Sequence, residues 1–201
     1  MVVSKKRQDS SIYDYIFYFS IIVIILSALY MGFKFTGNAV STSTAVVNVT
    51  ISTTTAINFT TNFLNLGTGV VNLGSTSASV DSDGICTGGT WAPTPSNFTL
   101  QNIGNTNASL TLSMGKTAAQ FIGGTSPVYQ FKFGNNEAGS CVNSTAMGVW
   151  TATSTSNISL CSIFLMNDAS DTINIGVKVT IPSDSLTGTQ TDTFTATATG
   201  I

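Results

Sequence analysis

The chain contains no histidine, and it is poor in charged residues, proline and cysteine. Without histidine there can be no Ser-His-Asp arrangement, and no imidazole is present to activate a cysteine thiol or to help bind zinc. The seven acidic residues beyond position 44 are scattered, and they do not form the pair of carboxylates that glycoside hydrolysis requires. These absences predict a non-enzymatic protein with no cofactor and no metal.

Charged residues make up only 8% of the chain, whereas soluble cytoplasmic domains usually have about 25%. Serine, threonine, asparagine and glycine take their place, which is typical of secreted β-proteins. The hydrophobic content of 42% and the net charge of −2 argue against disorder. Beyond position 44 the only basic residues are Lys116, Lys132 and Lys178. There is no basic stripe to neutralise phosphates, so we expect no nucleic-acid partner.

Residues 16–33 form an uncharged apolar run that, extended slightly, matches a bilayer core of about 30 Å. Lys5, Lys6 and Arg7 precede it, and the positive-inside rule then places the N-terminus in the cytoplasm. We therefore predict a single-pass protein of the cell membrane with its long C-terminal part outside the cell.

The predicted boundaries are a cytoplasmic basic tail at 1–15, a transmembrane or signal helix at 16–35 and a small polar linker at 36–44. The alternative is a cleaved signal peptide, because Gly37-Asn38-Ala39 satisfies the small-x-small rule. Cleavage near Ala39 would give a secreted or surface-bound product.

Residues 45–201 predict an all-β domain, an antiparallel β-sandwich of immunoglobulin-like or jelly-roll-like type. The clearest strand is 171–181, in which Ile173 and every second residue after it share one face and polar residues share the other. Pro182 should end it. The other predicted strands are 45–51, 57–60, 69–73, 97–102, 109–114, 128–133, 148–152, 157–164 and 192–199, and one helical turn is expected within 116–122.

Asn-x-Ser/Thr sequons occur six times, and all of them follow the apolar run. They predict N-glycosylation in the part expected outside the cell, although some of these asparagines could simply occupy turns. The acceptor residues are Asn48, Asn58, Asn97, Asn107, Asn143 and Asn157.

Three cysteines follow the apolar run, namely Cys86, Cys141 and Cys161. An oxidising compartment favours one disulfide and one remaining thiol. The preferred pair is Cys141 with Cys161, which closes a loop across the predicted strand 148–152. Cys86 with Cys141 stays open as the second choice.

Two groups of side chains could bind a ligand. Asp81 and Asp83, or the run 167–171, could supply oxygen ligands to Ca²⁺, but a turn capped by its own Asx side chains is the commoner arrangement. Four aromatic residues could form a sugar-stacking platform, although such residues more often pack in cores. They are Trp91, Tyr129, Phe133 and Trp150.

Several stretches together carry a resemblance to known surface proteins: 36–40 (TGNAV), 97–112 (NFTLQNIGNTNASLTL), 172–182 (TINIGVKVTIP) and 191–198 (TDTFTATA). With the N-terminal apolar run, they resemble small archaeal cell-surface proteins that have a membrane-targeting helix and a β-sandwich. The same stretches are similar to biofilm-fibre subunits of the TasA/camelysin type. The resemblance implies a structural subunit capable of polymerising.

The start of the chain also resembles archaeal type IV pilins, in which a basic residue precedes a hydrophobic helix that packs into the filament core. Two features depart from that pattern. No glycine or alanine follows the basic cluster at the usual peptidase site, and Asp14 does not lie at the usual offset.

We therefore expect a structural or adhesive surface protein, including a filament or pilus subunit. Its partners would be the membrane through residues 16–35 and other copies of itself. If it polymerises, residues 46–54 are the segment expected to be donated to a neighbour's sheet edge. The alternative is a carbohydrate- or receptor-binding module, assisted by calcium at Asp81 and Asp83, that recognises surface glycans.

Overall fold

The computed structural model describes residues 10–35, 44–144 and 146–201. The chain divides into two compact units, Met1–Thr50 and Ile51–Ile201. The predicted linker and the cleavage position at Ala39 fall largely outside the described residues, as do residues 1–9 of the predicted tail.

The first unit contains the predicted apolar helix, α1, which spans Ser10–Phe35. It begins at Ser10 rather than at residue 16, so the end of the predicted tail is helical. The segment Ile12–Met31 is long and apolar enough to cross a membrane, with a mean hydropathy of 2.1. Its two serines donate their hydroxyls to carbonyls one turn earlier, Ser20 to Phe17 at 2.7 Å and Ser27 to Ile24 at 2.8 Å. Within α1 these two hydroxyls therefore have partners and need no water.

The strand predicted at 45–51 is wrong, because residues 44–56 contain no helix or strand. The alternating pattern is present, but a strand exists only when a neighbour completes its hydrogen bonds. Val47, Val49 and Ile51 are instead highly exposed, at 85%, 77% and 81%. From Ser52 onward the chain is hydrogen-bonded to the rest of the second unit, since Asn105 donates its side-chain amide to the Ser52 carbonyl at 2.9 Å.

The second unit forms two antiparallel sheets. The seven-stranded sheet has the order β1-β4-β10-β2-β3, with β6 on the other edge of β10 and β8 beyond β6. The four-stranded sheet has the order β11-β5-β9-β7. The strands are β1 Ile57–Thr61, β2 Ser77–Asp81, β3 Cys86–Thr87, β4 Phe98–Asn102, β5 Ala108–Met114, β6 Val128–Asn135, β7 Cys141–Val142, β8 Thr151–Ala152, β9 Ile158–Phe164, β10 Thr172–Pro182 and β11 Phe194–Gly200.

Strand β10 is the centre of the larger sheet and matches the prediction closely. Ile173, Ile175, Val177 and Val179 are buried, while Asn174 and the other alternate side chains are largely half-buried on the opposite face, and Pro182 is its last residue. The predicted helical turn is also confirmed as α2, Ala118–Phe121, which is held by a capping box between Thr117 and Gln120.

One hydrophobic core lies between the two sheets. It combines side chains of the larger sheet, such as Phe131 and Ile175, with side chains of the smaller one, such as Leu110, Leu112 and Leu160. The prediction of a mostly antiparallel β-structure after one N-terminal apolar helix is therefore confirmed.

Some strand predictions were less accurate. The strand expected at 69–73 is only an isolated bridge between Val71 and Gly89, and the one expected at 148–152 shrinks to Thr151–Ala152. The sequence patterns missed β2, β3 and β7. Each is short or rich in serine, so neither length nor β-branched residues marked it.

Candidate functional site

A polar cleft lies on the outer face of the seven-stranded sheet. One edge of β10 pairs with β4 up to Ile175 and with β2 from Lys178 onward. Gly176 and Val177 lie in the gap between these two partners. Ser82 fills it, because its N–H donates to the Val177 carbonyl at 2.8 Å and its hydroxyl accepts the Val177 N–H at 2.9 Å. The cleft, which we call the β2–β4 cleft, opens above this gap.

The β2–β4 cleft is an open depression of about 460 Å³ and is lined mainly by hydroxyl and amide groups. Its amides are held in place by one another. Thr99 donates its hydroxyl to Asn174 Oδ1 at 3.1 Å, and the Asn174 amide donates to Asn136 Oδ1 at 2.9 Å. The lining residues are Ser82, Asp83, Pro95, Ser96, Asn97, Thr99, Asn136 and Asn174.

Gly176 lies against two side chains that line the cleft, those of Asn97 and Ser82. A Cβ atom added there would lie 2.8 Å from both Asn97 Oδ1 and Ser82 Oγ, which is too close. The missing side chain therefore allows the Ser82 hydroxyl to donate to Asn97 Oδ1 at 2.8 Å across the strand. A larger residue at position 176 would break this pair.

Two lysines and an indole adjoin the cleft. Lys132 forms an ion pair with Asp83, and its Nζ also lies 4.6 Å from the centroid of the Trp150 ring. Lys178 Nζ lies 5.7 Å from the same ring. Lysine ammonium groups at these distances are attracted by the face of the indole. Two of the three lysines beyond position 44 therefore meet at one half-buried tryptophan.

The acidic residues considered for calcium direct their oxygen atoms to separate protein partners and not to a common point. Asp81 is buried, and its Oδ1 accepts the backbone N–H groups of Asp83 and Ile85 at 3.1 and 3.0 Å. It thus caps its own turn. Asp83 points to Lys132, and Asn167 Oδ1 accepts the Ala169 N–H. Among the described residues no group of three or more His, Cys, Asp or Glu side chains is placed to hold a metal ion.

The sequon asparagines fall into two classes. Asn48, Asn58, Asn143 and Asn157 are exposed. Asn97 and Asn107 are half-buried, and each accepts a hydrogen bond through Oδ1, from Ser82 and from the Met166 N–H respectively. Thr145, which completes the Asn143 sequon, lies outside the described residues.

The preferred disulfide is confirmed, since Cys141 of β7 is bonded to Cys161 of β9 with 5.4 Å between their Cα atoms. Both cysteines are buried in the core. Cys86, the partner in the second choice, is a half-buried free thiol.

The four aromatic residues do not form a common platform. Tyr129 and Phe133 are buried in the core, and Tyr129 donates its hydroxyl to Asp192 Oδ2 at 3.1 Å. Burial, reinforced by the Asp192 carboxylate, raises the pKa of Tyr129. Trp91 packs over Gly69 and Gly89, where a Cβ atom would meet its ring. Trp150 alone of the four lies beside the cleft.

A second polar cluster lies outside the cleft, around Asp171. Burial raises the pKa of Asp171, while its carboxylate accepts the Gln101 amide at 3.2 and 3.3 Å. Glu137 accepts the Asp171 N–H at 2.9 Å, and this bond lowers the pKa of Glu137. Both carboxylates therefore serve to hold the β4–β10 end of the sheet together.

Sequence patterns had identified Asp83, Asn97 and Trp150, but for other reasons, and they missed Ser82, Asn136 and Asn174. Only the alternation along β10 indicated that Asn174 faces outward. Their convergence depends on β10 pairing with two strands in succession, which no local pattern reveals. No protein-family model, no curated protein and no solved structure matches this chain.

Proposed function

We propose that the protein is a non-enzymatic structural or adhesive subunit of the cell surface, held in the membrane by α1. The observation that carries this proposal is the apolar span Ile12–Met31, none of which is buried within the chain. An exposed span of 20 residues that is apolar apart from Asp14, Ser20 and Ser27 is unfavourable in water and requires lipid or other apolar helices around it.

The proposed orientation places residues 1–9 in the cytoplasm and the second unit outside. Lys5, Lys6 and Arg7 on the N-terminal side support it. The Cys141–Cys161 disulfide gives independent support, because such bonds persist mainly in oxidising compartments. The two sheets with their shared core are, in this proposal, an extracellular β-sandwich.

We also propose that the subunits polymerise through the seam at which one edge of each sheet lies side by side. The edge strands β1 and β11 border this seam. They are close together, since the Phe98 ring lies 6.0 Å from Phe59 and 5.1 Å from Phe194, and Gly200 adjoins Thr55. Between them, half-buried apolar side chains of the core reach the surface, including Phe59, Phe194, Ala196 and Ala198.

The proposed occupant of the seam is the first part of the predicted segment 46–54 of a second copy, residues 46–51, which we call the donor segment. Ser52 and Thr54 are excluded because their carbonyls accept hydrogen bonds from Asn105 of their own unit. In the described chain Val47, Val49 and Ile51 are exposed at alternate positions, as an added strand requires. Two edge strands with unpaired backbone groups offer it hydrogen bonds, and the half-buried seam offers it apolar contact.

The test compares the two faces of the donor segment. Deleting residues 41–55 should abolish filaments on cells seen by negative-stain electron microscopy. The deletion also removes Ser52, whose carbonyl is bonded to Asn105, and so it could disturb the fold. Point variants at exposed residues before Ser52 test the idea without that effect. The pair V47D and V49D should block assembly, whereas the matched change V46D on the opposite face should leave it intact. Unchanged filaments in the V47D/V49D variant, or their equal loss in V46D, would reject the donor segment.

A further inference from the structure

The outer face of the seven-stranded sheet carries a continuous row of ligand-like groups that assembly through the seam does not use. Along β10, Asn174, Gly176 and Lys178 are spaced by two and so share that face. Lys132 on β6 is paired in register with Gly176, and Trp150 precedes β8 beside it. The row therefore runs from the β2–β4 cleft across Lys132 to Trp150 and Lys178.

The chemistry of this row matches a sugar more closely than an apolar ligand. The cleft offers oriented amides and hydroxyls, which can exchange hydrogen bonds with the hydroxyl groups of a pyranose. It has a volume of about 460 Å³ and is open to solvent rather than enclosed. Trp150 adds a half-buried indole, and the apolar face of a sugar ring would be buried against the part of it that Lys132 does not cover.

The charged residues near Trp150 indicate which class of sugar this face would bind. Residues 44–201 contain three lysines and seven acidic residues, a net charge of 3 − 7 = −4. Lys132 is neutralised by Asp83, whereas Lys178 forms no ion pair among the described residues. One ammonium without an ion pair among the described residues thus lies at the indole, and Asp81 is its cross-strand neighbour. A ligand with sparse negative charge fits this arrangement, and a densely charged polyphosphate is repelled.

We propose that this face binds an acidic oligosaccharide. One carboxylated pyranose stacks on Trp150 with its carboxylate at Lys178, and the neighbouring sugar places its hydroxyls in the β2–β4 cleft. Asn174, Asn136 and Thr99 bind those hydroxyls, and Asp83 keeps Lys132 beside the ring. The site is independent of the donor segment and of the seam.

The test is isothermal titration calorimetry on the full chain in detergent, with tetragalacturonate as the probe and neutral tetragalactose as its uncharged comparison. We expect tetragalacturonate to bind and to weaken with added salt, because an exposed ion pair is screened. The variant W150A should lose about tenfold or more in affinity, and K178Q a similar factor for the acidic probe only. The matched control K116Q, at a lysine elsewhere that donates to the Thr191 carbonyl, should bind as the natural chain does.

The outcomes separate clearly. No heat from tetragalacturonate at about 10 mM, or equal affinity for the neutral probe, overturns the proposal. Unchanged binding in K178Q overturns it as well, and this variant replaces a half-buried lysine without disturbing the core. If W150A unfolds on heating earlier than the natural chain, N174A on the same strand face supplies the second reading, with a loss of binding expected for the acidic probe.

Discussion

At the scale of single residues, Asp184 is a surface carboxylate that connects two loops through hydrogen bonds. Its Oδ1 accepts the Thr125 N–H at 2.9 Å, and its Oδ2 accepts the Thr125 hydroxyl at 2.7 Å. The backbone bond, followed by the hydroxyl bond, lowers the pKa of Asp184 below its usual value. A carboxyl with a lowered pKa stabilises the fold when ionised, and this contribution is lost as the pH falls through the folded-state pKa.

We therefore expect D184N to lower the melting temperature near pH 7. The difference from the natural chain should begin to shrink below the unfolded-state pKa of about 4 and should vanish as the pH falls through the lower folded-state pKa, where the natural Asp184 is protonated too. Thermal unfolding followed by circular dichroism across pH 3–7 measures this. The variant T125S keeps both donors and should behave as the natural chain. A difference that stays constant with pH would contradict the assignment.

The disulfide is a second residue-scale feature whose contribution to the free energy of unfolding can be measured. Cys141 and Cys161 are separated by 20 positions, and closing a loop of that size restricts the unfolded chain. The double change C141A/C161A should lower the free energy of unfolding by roughly 3 kcal/mol. Urea unfolding measures it, and C86S, which removes only the free thiol, should have a far smaller effect. A reductant that leaves the natural chain's midpoint unchanged would count against the disulfide's role.

At the scale of elements, β10 holds the larger sheet together because it pairs with β2, β4 and β6. Its inward residue Ile175 is completely buried, whereas Thr180 on the other face is half-buried. The I175A variant should therefore lose about 2–5 kcal/mol of stability through the cavity it leaves. The T180A variant should change it by about 0.5 kcal/mol or less, in the same urea experiment. Equal effects would mean that the two faces of β10 are assigned wrongly.

The elements also show what could be predicted from sequence. Helix α1 followed from the length of its uncharged apolar run, and strands β10 and β11 followed from alternation of apolar and polar residues. Strand β2, with its sequence Ser-Ala-Ser-Val-Asp, is held by its pairing with β10 rather than by propensity. Residues 45–51 show the converse, because their pattern is strong but no partner strand lies beside them. The cleft depends on register between distant strands, so only its individual residues, not their grouping, could be anticipated.

At the scale of the whole molecule, the division into an apolar helix and a β-unit predicts an experiment on intact cells. Added protease should shorten the protein by cutting beyond residue 44, and an antibody tag before Met1 should stay protected until the cells are opened. Replacing Lys5, Lys6 and Arg7 with glutamine should weaken this asymmetry, because these charges favour retention on the cytoplasmic side. Immunoblotting reads both results. Protection of the β-unit in intact cells would contradict the proposed orientation.

Asn97 lies in the lining of the β2–β4 cleft and is also the acceptor of a glycosylation sequon. If a glycan is added to this amide during export, the glycan starts inside the β2–β4 cleft, where a bound saccharide would have to lie. The chain would then carry a permanently tethered competitor, at an effective concentration on the order of millimolar. Molecules with a glycan on Asn97 would then have a blocked cleft, and molecules without it would have a cleft free to bind saccharide.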